Sequence, residues 1–210
     1  MKSEEPKTAA ALSGVTNTTH GAVIHGSAEI GHNTVVWHWT QVREKAVVGD
    51  NTTIGQGVYI GPGVTVGADC KIQNGAKLYE PAVLANGVFI GPNVVLTNDR
   101  RPRSLRLGSS EAKGEGEWDK VGVTIGKGAS LGANVVCIAP LTVGEWAFVG
   151  AGSVVSSDVK PYALLVGNPA RQIGWVGRGG AKLVPESGRL VCPDTGEIFA
   201  LSEDGLLKPV

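Results

Sequence analysis

Residues 48–66 read VGDNTTIGQGVYIGPGVTV, and within them Val48, Ile54, Ile60 and Val66 fall six apart. Outward from that stretch the beat runs without a miss, back through Val42, Val36, Ile30 and Ile24 and on through Ile72, Leu78, Leu84, Ile90 and Leu96. It pauses, then returns as Ile125, Leu131, Cys137, Val143, Val149 and Val155. A six-residue period marks a hexapeptide β-helix, in which each repeat makes one short strand and one corner. Three repeats close a triangular coil, so each residue stacks over its equivalent three repeats away. Every side chain in the repeat thereby acquires a direction.

A second inward series sits four residues after each beat position: Ala28, Thr34, Thr40, Ala46, Thr52, Val58, Val64, Cys70, Ala76, Ala82, Val88 and Val94. Cys70 and Cys137 therefore read as small core hydrophobes rather than a disulfide framework, and a reduced, cytoplasmic setting is expected. The 210-residue chain holds 31 glycines, about twice the typical share. Many follow the inward aliphatic, as Gly49, Gly55, Gly61 and Gly67 do, and a corner in every repeat calls for permissive backbone. Net charge is zero, so bulk attraction to nucleic acid or an anionic membrane is not expected. No apolar run approaches the ~20 residues of a membrane span.

Three parts follow. Residues 1–17 are expected to be a flexible N-terminal arm, and 18–159 an all-β parallel β-helix interrupted by a projecting loop, 99–122. Residues 160–210 form a C-terminal cap with a short helix and a hairpin. The loop has no six-beat and opens with Arg100, Arg101, Pro102 and Arg103. A loop this long inside a regular solenoid is usually functional or disordered, and this one reads as an arm reaching out from the coil.

The position two after each beat residue points outward. One corner then carries Glu44, Pro62, Glu80 and Asn98, a second His38, Gln56, Asn74 and Pro92, and a third His32, Asp50, Ala68 and Asn86. Stacked strands lie about 4.8 Å apart, so Glu80 and Asn98 are expected to be neighbours where the arm departs. Solvated polar rungs are the alternative. In the second run the equivalents are Lys127, Ala133, Ala139, Glu145 and Ala151, beside Gly132 and Gly150. Such a strip of small residues lets a long thin ligand lie against backbone N–H and C=O groups, or lets coils pack tightly. The Ala/Gly strip is expected to border the same region as Asn98. Fewer than three histidines converge, which does not suit a catalytic zinc, so no metal is expected.

Four stretches carry a resemblance: KIQNGAKLYE (Lys71–Glu80), GPNVVLTND (Gly91–Asp99) with Pro102-Arg103-Ser104, Gly132-Ala133-Asn134, and VGNPARQIGW (Val166–Trp175). Together they resemble bacterial N-acetyltransferases that modify an amino group on a nucleotide-linked sugar. The branch acting on UDP-2-acetamido-3-amino-2,3-dideoxyglucuronate is the most similar, with a sister branch taking dTDP-3-amino-3,6-dideoxyhexoses. The resemblance implies a left-handed coil, a homotrimer, acetyl-CoA as donor, sites in clefts between subunits, and a role in bacterial surface polysaccharide synthesis. Outward apolar residues at Val35, Val47, Tyr59, Val83, Phe89 and Val95 agree with a trimer.

The asparagine of the family's L-T-N segment, which lies beside the sugar amine, matches Asn98. Glu80 becomes the candidate proton acceptor, and His38 could serve across an assembled cleft. Asn74, Tyr79, Arg100, Arg101 and Arg103 are the candidate acceptor-binding residues. Gly132, Ala133, Gly150, Ala151 and Arg171 are the candidate residues for the donor. Two departures stand out. The family's Q-N-N and following Tyr-Asp are here Gln73-Asn74-Gly75 and Tyr79-Glu80, and the tail keeps only Cys192 of two C-x2-C pairs, so it is expected to be metal-free. A non-catalytic trimeric scaffold and an O-acyltransferase of the same fold remain the rival readings.

Overall fold

The computed structural model describes residues 15–18, 21–114, 116–203 and 205–210. It is a parallel β-helix of stacked three-strand coils, in agreement with the left-handed hexapeptide helix implied above. Three sheets of seven, six and nine strands, parallel except for the last strand of the nine, line the prism, and a separate four-stranded sheet closes the chain. The first face starts at Val23–Ile24, the second at Glu29–Ile30, and the third contains Thr34–Val36. The expected N-terminal arm lies mostly outside the described residues. Its last part falls in the strand Val15–Thr18, which pairs with Thr34–Val36 on the third face.

The beat residues build the core. Every one is buried except Ile30, which is half-buried near the start of the coil. Burial of such side chains contributes roughly 1.5–3 kcal/mol each before entropy is counted. The second inward series is buried too, and its threonines are satisfied within the core. Thr34, Thr40 and Thr52 donate their hydroxyls to the carbonyls of Gly49, Gly55 and Gly67 at 2.9, 2.9 and 3.1 Å. Thr52 Oγ1 also accepts from the Cys70 backbone N–H at 3.2 Å. Polar atoms that would be costly if left unpaired here become coil-to-coil fasteners.

Glycine has a different reason from the one expected. The left-handed backbone falls three residues after most beat residues, at Asn51 (φ 56°), Gly57 (φ 65°) and Asn93 (φ 56°), for example. The glycine directly after the aliphatic is instead a point of close approach. A Cβ on Gly49 would lie 2.6 Å from the Ala68 nitrogen of the neighbouring coil.

The arm leaves the first face after Val95–Leu96 and the chain re-enters on the second face at Val123–Ile125. Register survives the interruption: Lys77 pairs with Val95, and Val95 in turn pairs with Val136. In place of the short helix expected after Lys160, Ala163–Val166 and Arg171–Trp175 form an antiparallel pair. The final coil would otherwise end in an unpaired edge. Leu164 and Leu165 pair with Phe148 and Val149 and supply the missing hydrogen bonds. Beyond them, Val184–Glu186, Arg189–Val191, Ile198–Leu201 and Leu207–Pro209 make the antiparallel cap. Its own small core includes Leu183, Cys192, Phe199 and Leu207, with Tyr162 edge-on to Phe199 at 5.3 Å.

Candidate active site

The repeat sets the site residues in files along the corners. Between the first and second faces stand Glu44, Pro62, Glu80 and Asn98, and the arm springs from that corner. A cleft of about 700 Å³ opens along it, within the range of small-molecule sites. Glu80 and Asn98 form one wall with Tyr59 and Tyr79, whose rings are 5.3 Å apart. The arm folds back to supply Trp118 and Lys120 opposite. A smaller hollow of about 360 Å³ shares Tyr79, Asn98 and Trp118 and adds Arg100, Pro102 and Ile138.

Most polar groups of the cleft are already engaged. Arg43 grips Glu44 with two hydrogen bonds of 2.9 and 3.0 Å, which raises the guanidinium pKa. Glu44 is held below the ordinary carboxylate range by its own backbone N–H and then by Arg43. Burial pushes the Tyr59 hydroxyl above its ordinary value. Glu80, whose side chain is 22% exposed, faces the Lys120 ammonium at 3.7 Å.

Asn98 differs from its equivalents on the other corners. Asn74 turns Oδ1 onto the Gln56 backbone N–H at 2.9 Å, and Asn86 does the same for Ala68 at 3.1 Å. Those amides fasten coil to coil. The half-buried Asn98 side chain makes no hydrogen bond among the described residues, while its backbone carbonyl accepts from Val121 at 3.0 Å. Its backbone is fixed and its amide is free, the condition for a group that meets a ligand.

Sequence comparison agrees with this architecture. A bacterial transferase hexapeptide model of six repeats matches residues 45–80 and 63–98, and a succinyl-transferase hexapeptide repeat model matches residues 122–157. The repeat models thus cover both runs of coils, on either side of the arm. This hexapeptide chain is 52% identical, over 66 residues, to dTDP-3-amino-3,6-dideoxy-alpha-D-galactopyranose 3-N-acetyltransferase of Aneurinibacillus thermoaerophilus, covering 31% of this chain and 34% of the relative. It is 32% identical over 90 residues to a putative acetyltransferase of Schizosaccharomyces pombe, covering 43% and 41% of the two chains. The chain thus spans less than half the length of these relatives. Among solved structures, a hexapeptide-repeat-containing acetyltransferase from Vibrio cholerae complexed with acetyl coenzyme A aligns with a TM-score of 0.51 and 22% identity, covering 62% of this chain and 70% of that one. That likeness is one of fold.

The hexapeptide frame brings some of the expected residues together and separates others. Glu80, Tyr79 and Asn98 share the cleft, and Arg100 reaches the adjoining hollow. Arg101 and Arg103 line neither, and the Arg103 guanidinium donates to the Pro102 carbonyl. His38 and Asn74 stand on the corner between the third and first faces. The imidazole of His38 sits between exposed Trp37 and Trp39, with centroids 6.3 and 6.1 Å away.

Gly132, Ala133, Gly150 and Ala151 also lie on that third-to-first corner. The expectation that the strip borders the same region as Asn98 is corrected for these four, because each face carries its corner residues along a separate edge of the prism; Ala139, one coil beyond Asn98, keeps to that corner. Packing accounts for the glycine at 132, where a Cβ would lie 2.6 Å from the Ala151 nitrogen. Gly150 abuts Val166, in the strand that leads to Arg171, so the candidate donor residues gather at the last coils. Arg171 is exposed and donates to the Ala170 carbonyl.

Trp118, Lys120 and Arg43 were not expected from the sequence. The arm lacks the repeat, and its course is fixed by Arg106. That guanidinium makes hydrogen bonds of 2.8 and 2.9 Å to the two oxygens of Glu117, which also accepts from the Gly114 N–H at 3.1 Å. A run reading R-x10-E carries no periodic signal for such a clamp. No nucleophile emerges at Cys137, where burial pushes the thiol up to about 12.

Proposed function

We propose that this chain is an acetyl-CoA-dependent N-acetyltransferase that acts on the amino group of a nucleotide-linked sugar, with the C3 amine as the favoured position. The observation that carries this reading is the half-buried amide of Asn98, unpartnered among the described residues, in a cleft shared with the Glu80 carboxylate. The similarity to a dTDP-amino-sugar 3-N-acetyltransferase over part of the chain supports it.

In the reaction, the neutral amine attacks the thioester carbonyl. The tetrahedral intermediate then expels the CoA thiolate, leaving an amide. Asn98 accepts a hydrogen bond from the attacking nitrogen and aims its lone pair. Glu80 receives the proton that nitrogen sheds, and the departing sulfur takes one up. Holding both ligands in line supplies much of the rate, and a backbone N–H in the Gly132–Ala133 or Gly150–Ala151 rungs stabilises the oxyanion. An amine is nucleophilic once neutral, so a histidine base next to Asn98 is not required.

The acceptor cleft and the candidate donor residues Gly132, Ala133, Gly150 and Ala151 stand on different corners. Donor and acceptor therefore meet where the strip of one subunit faces the cleft of another, which favours a homotrimer. Three buried, unpaired cysteines suit a cytoplasmic enzyme. Bacterial surface polysaccharide synthesis is the setting this chemistry fits.

Isothermal titration with acetyl-CoA, followed by turnover assays with UDP- and dTDP-linked amino sugars, tests the reading. A non-catalytic scaffold binds no CoA. An O-acyltransferase acetylates the hydroxyl analogue in preference to the amine.

A further inference from the structure

We propose that the returning limb of the arm, through Lys120 and Trp118, recognises an anionic group and a ring of the acceptor, and so sets acceptor specificity. The inference rests on the acceptor being a nucleotide-linked sugar. The sequence draws attention to the outgoing limb, with its cluster of arginines. The structure gives the cleft a different cation.

Among the described residues two cations line the large cleft, Arg43 and Lys120. Arg43 is spent on the two hydrogen bonds to Glu44. Lys120 stands 3.7 Å from Glu80, too far for a good hydrogen bond, and its side chain is 54% exposed. An incoming anionic oxygen can engage that ammonium without breaking a strong internal contact. Doing so also loosens Lys120 from Glu80, which frees the carboxylate to receive a proton from the amine.

The lysine is well placed to act this way. Its backbone bridges to Asp99, and the next N–H bonds to the Asn98 carbonyl at 3.0 Å, so ammonium and amide are held in fixed relation. Trp118 lies two residues earlier, half exposed, and walls both the cleft and the adjoining hollow. An exposed indole across from Tyr79 offers an apolar plate for a sugar ring or a base. The arm that carries both residues is braced by Arg106 and Glu117.

The anion is a diphosphate or a sugar carboxylate, and steady-state kinetics separate the two. Lys120→Met is compared with wild type on a nucleotide-linked amino uronate and its neutral hexose counterpart, with Lys120→Arg as the conservative variant. The expected result is an acceptor KM about tenfold to a hundredfold higher in Lys120→Met, unchanged KM for acetyl-CoA, and recovery in Lys120→Arg. A penalty confined to the uronate assigns the carboxylate. An equal penalty on both sugars, with weaker binding of UDP alone, assigns the diphosphate. Trp118→Ala raises the acceptor KM on either substrate.

If the wild-type chain turns over an acceptor and both variants keep its KM, this assignment is overturned and the proposed function stands. If wild type turns over neither sugar and binds neither, the proposed function falls and takes this assignment with it.

Discussion

Asn98 lies one coil beyond Glu80, because Leu96 pairs with Leu78 two residues earlier on the same face. Both side chains open into one cleft, and the arm begins at the next residue. Glu80 faces a lysine from that arm, while Asn98 faces no protein partner among the described residues. Charge is thus contained on one rung, and a neutral amide is presented on the next.

The first prediction concerns that amide. Asn98→Ala should lower kcat/KM for acetyl transfer by at least about tenfold, a loss of about 1.4 kcal/mol of transition-state stabilisation or more. Thermal stability should stay within the small range of surface substitutions, because no internal hydrogen bond is lost. Kinetics and a melting curve on the same preparation separate the two effects.

The fold was legible because a six-residue beat assigns each side chain to core or corner, and the corner files then place Asn98 over Glu80. The arm was not legible in the same way. Its shape comes from Arg106, which pairs with Glu111 and Glu117, partners set by no repeat. Lys120 and Trp118 therefore could not be aimed at the cleft from sequence, whereas Arg100, Arg101 and Arg103 drew notice through their clustering. The strand Arg171–Trp175 was mistaken for helix for a tertiary reason: it pairs with Ala163–Val166, the strand that covers the edge of the last coil. The separation of Gly132, Ala133, Gly150 and Ala151 from Asn98 follows from the order of faces around the prism.

The second prediction tests the clamp. Arg106→Ala should raise the acceptor KM severalfold and leave the KM for acetyl-CoA unchanged. Hydrogen bonds from Arg106 hold the Glu117 carboxyl below its ordinary range. A depressed carboxyl contributes to arm order above its unfolded pKa and loses that contribution as pH falls through its folded value. Protection of the Gly114 amide against hydrogen exchange should therefore persist at neutral pH and drop on acidification below the ordinary carboxylate range. Equal opening rates across that window, after correction for intrinsic exchange, would count against the clamp.

A third prediction addresses the core. Thr52→Val removes a hydroxyl that serves both the Gly67 carbonyl and the Cys70 N–H. Leaving these buried groups unpaired should cost about 1–3 kcal/mol, read as a lower urea midpoint with an unchanged slope. The acceptor KM should not move.

The fourth concerns assembly. Val47 and Val83 are exposed on the second face at 38% and 44%, two coils apart with Thr65 between them. Sedimentation should give a mass of three chains at micromolar concentration. Val83→Asp should shift it toward one chain and abolish turnover while CoA affinity falls. A wild-type mass of one chain would remove the shared site.

The most direct test of the account is mass spectrometry of a nucleotide-linked 3-amino sugar incubated with the protein and acetyl-CoA. The predicted result is one acetyl group on the amine, released CoA in equal amount, and little product from Asn98→Ala. Absence of amide product across UDP- and dTDP-linked amino sugars, from a folded trimer that binds acetyl-CoA, would contradict it.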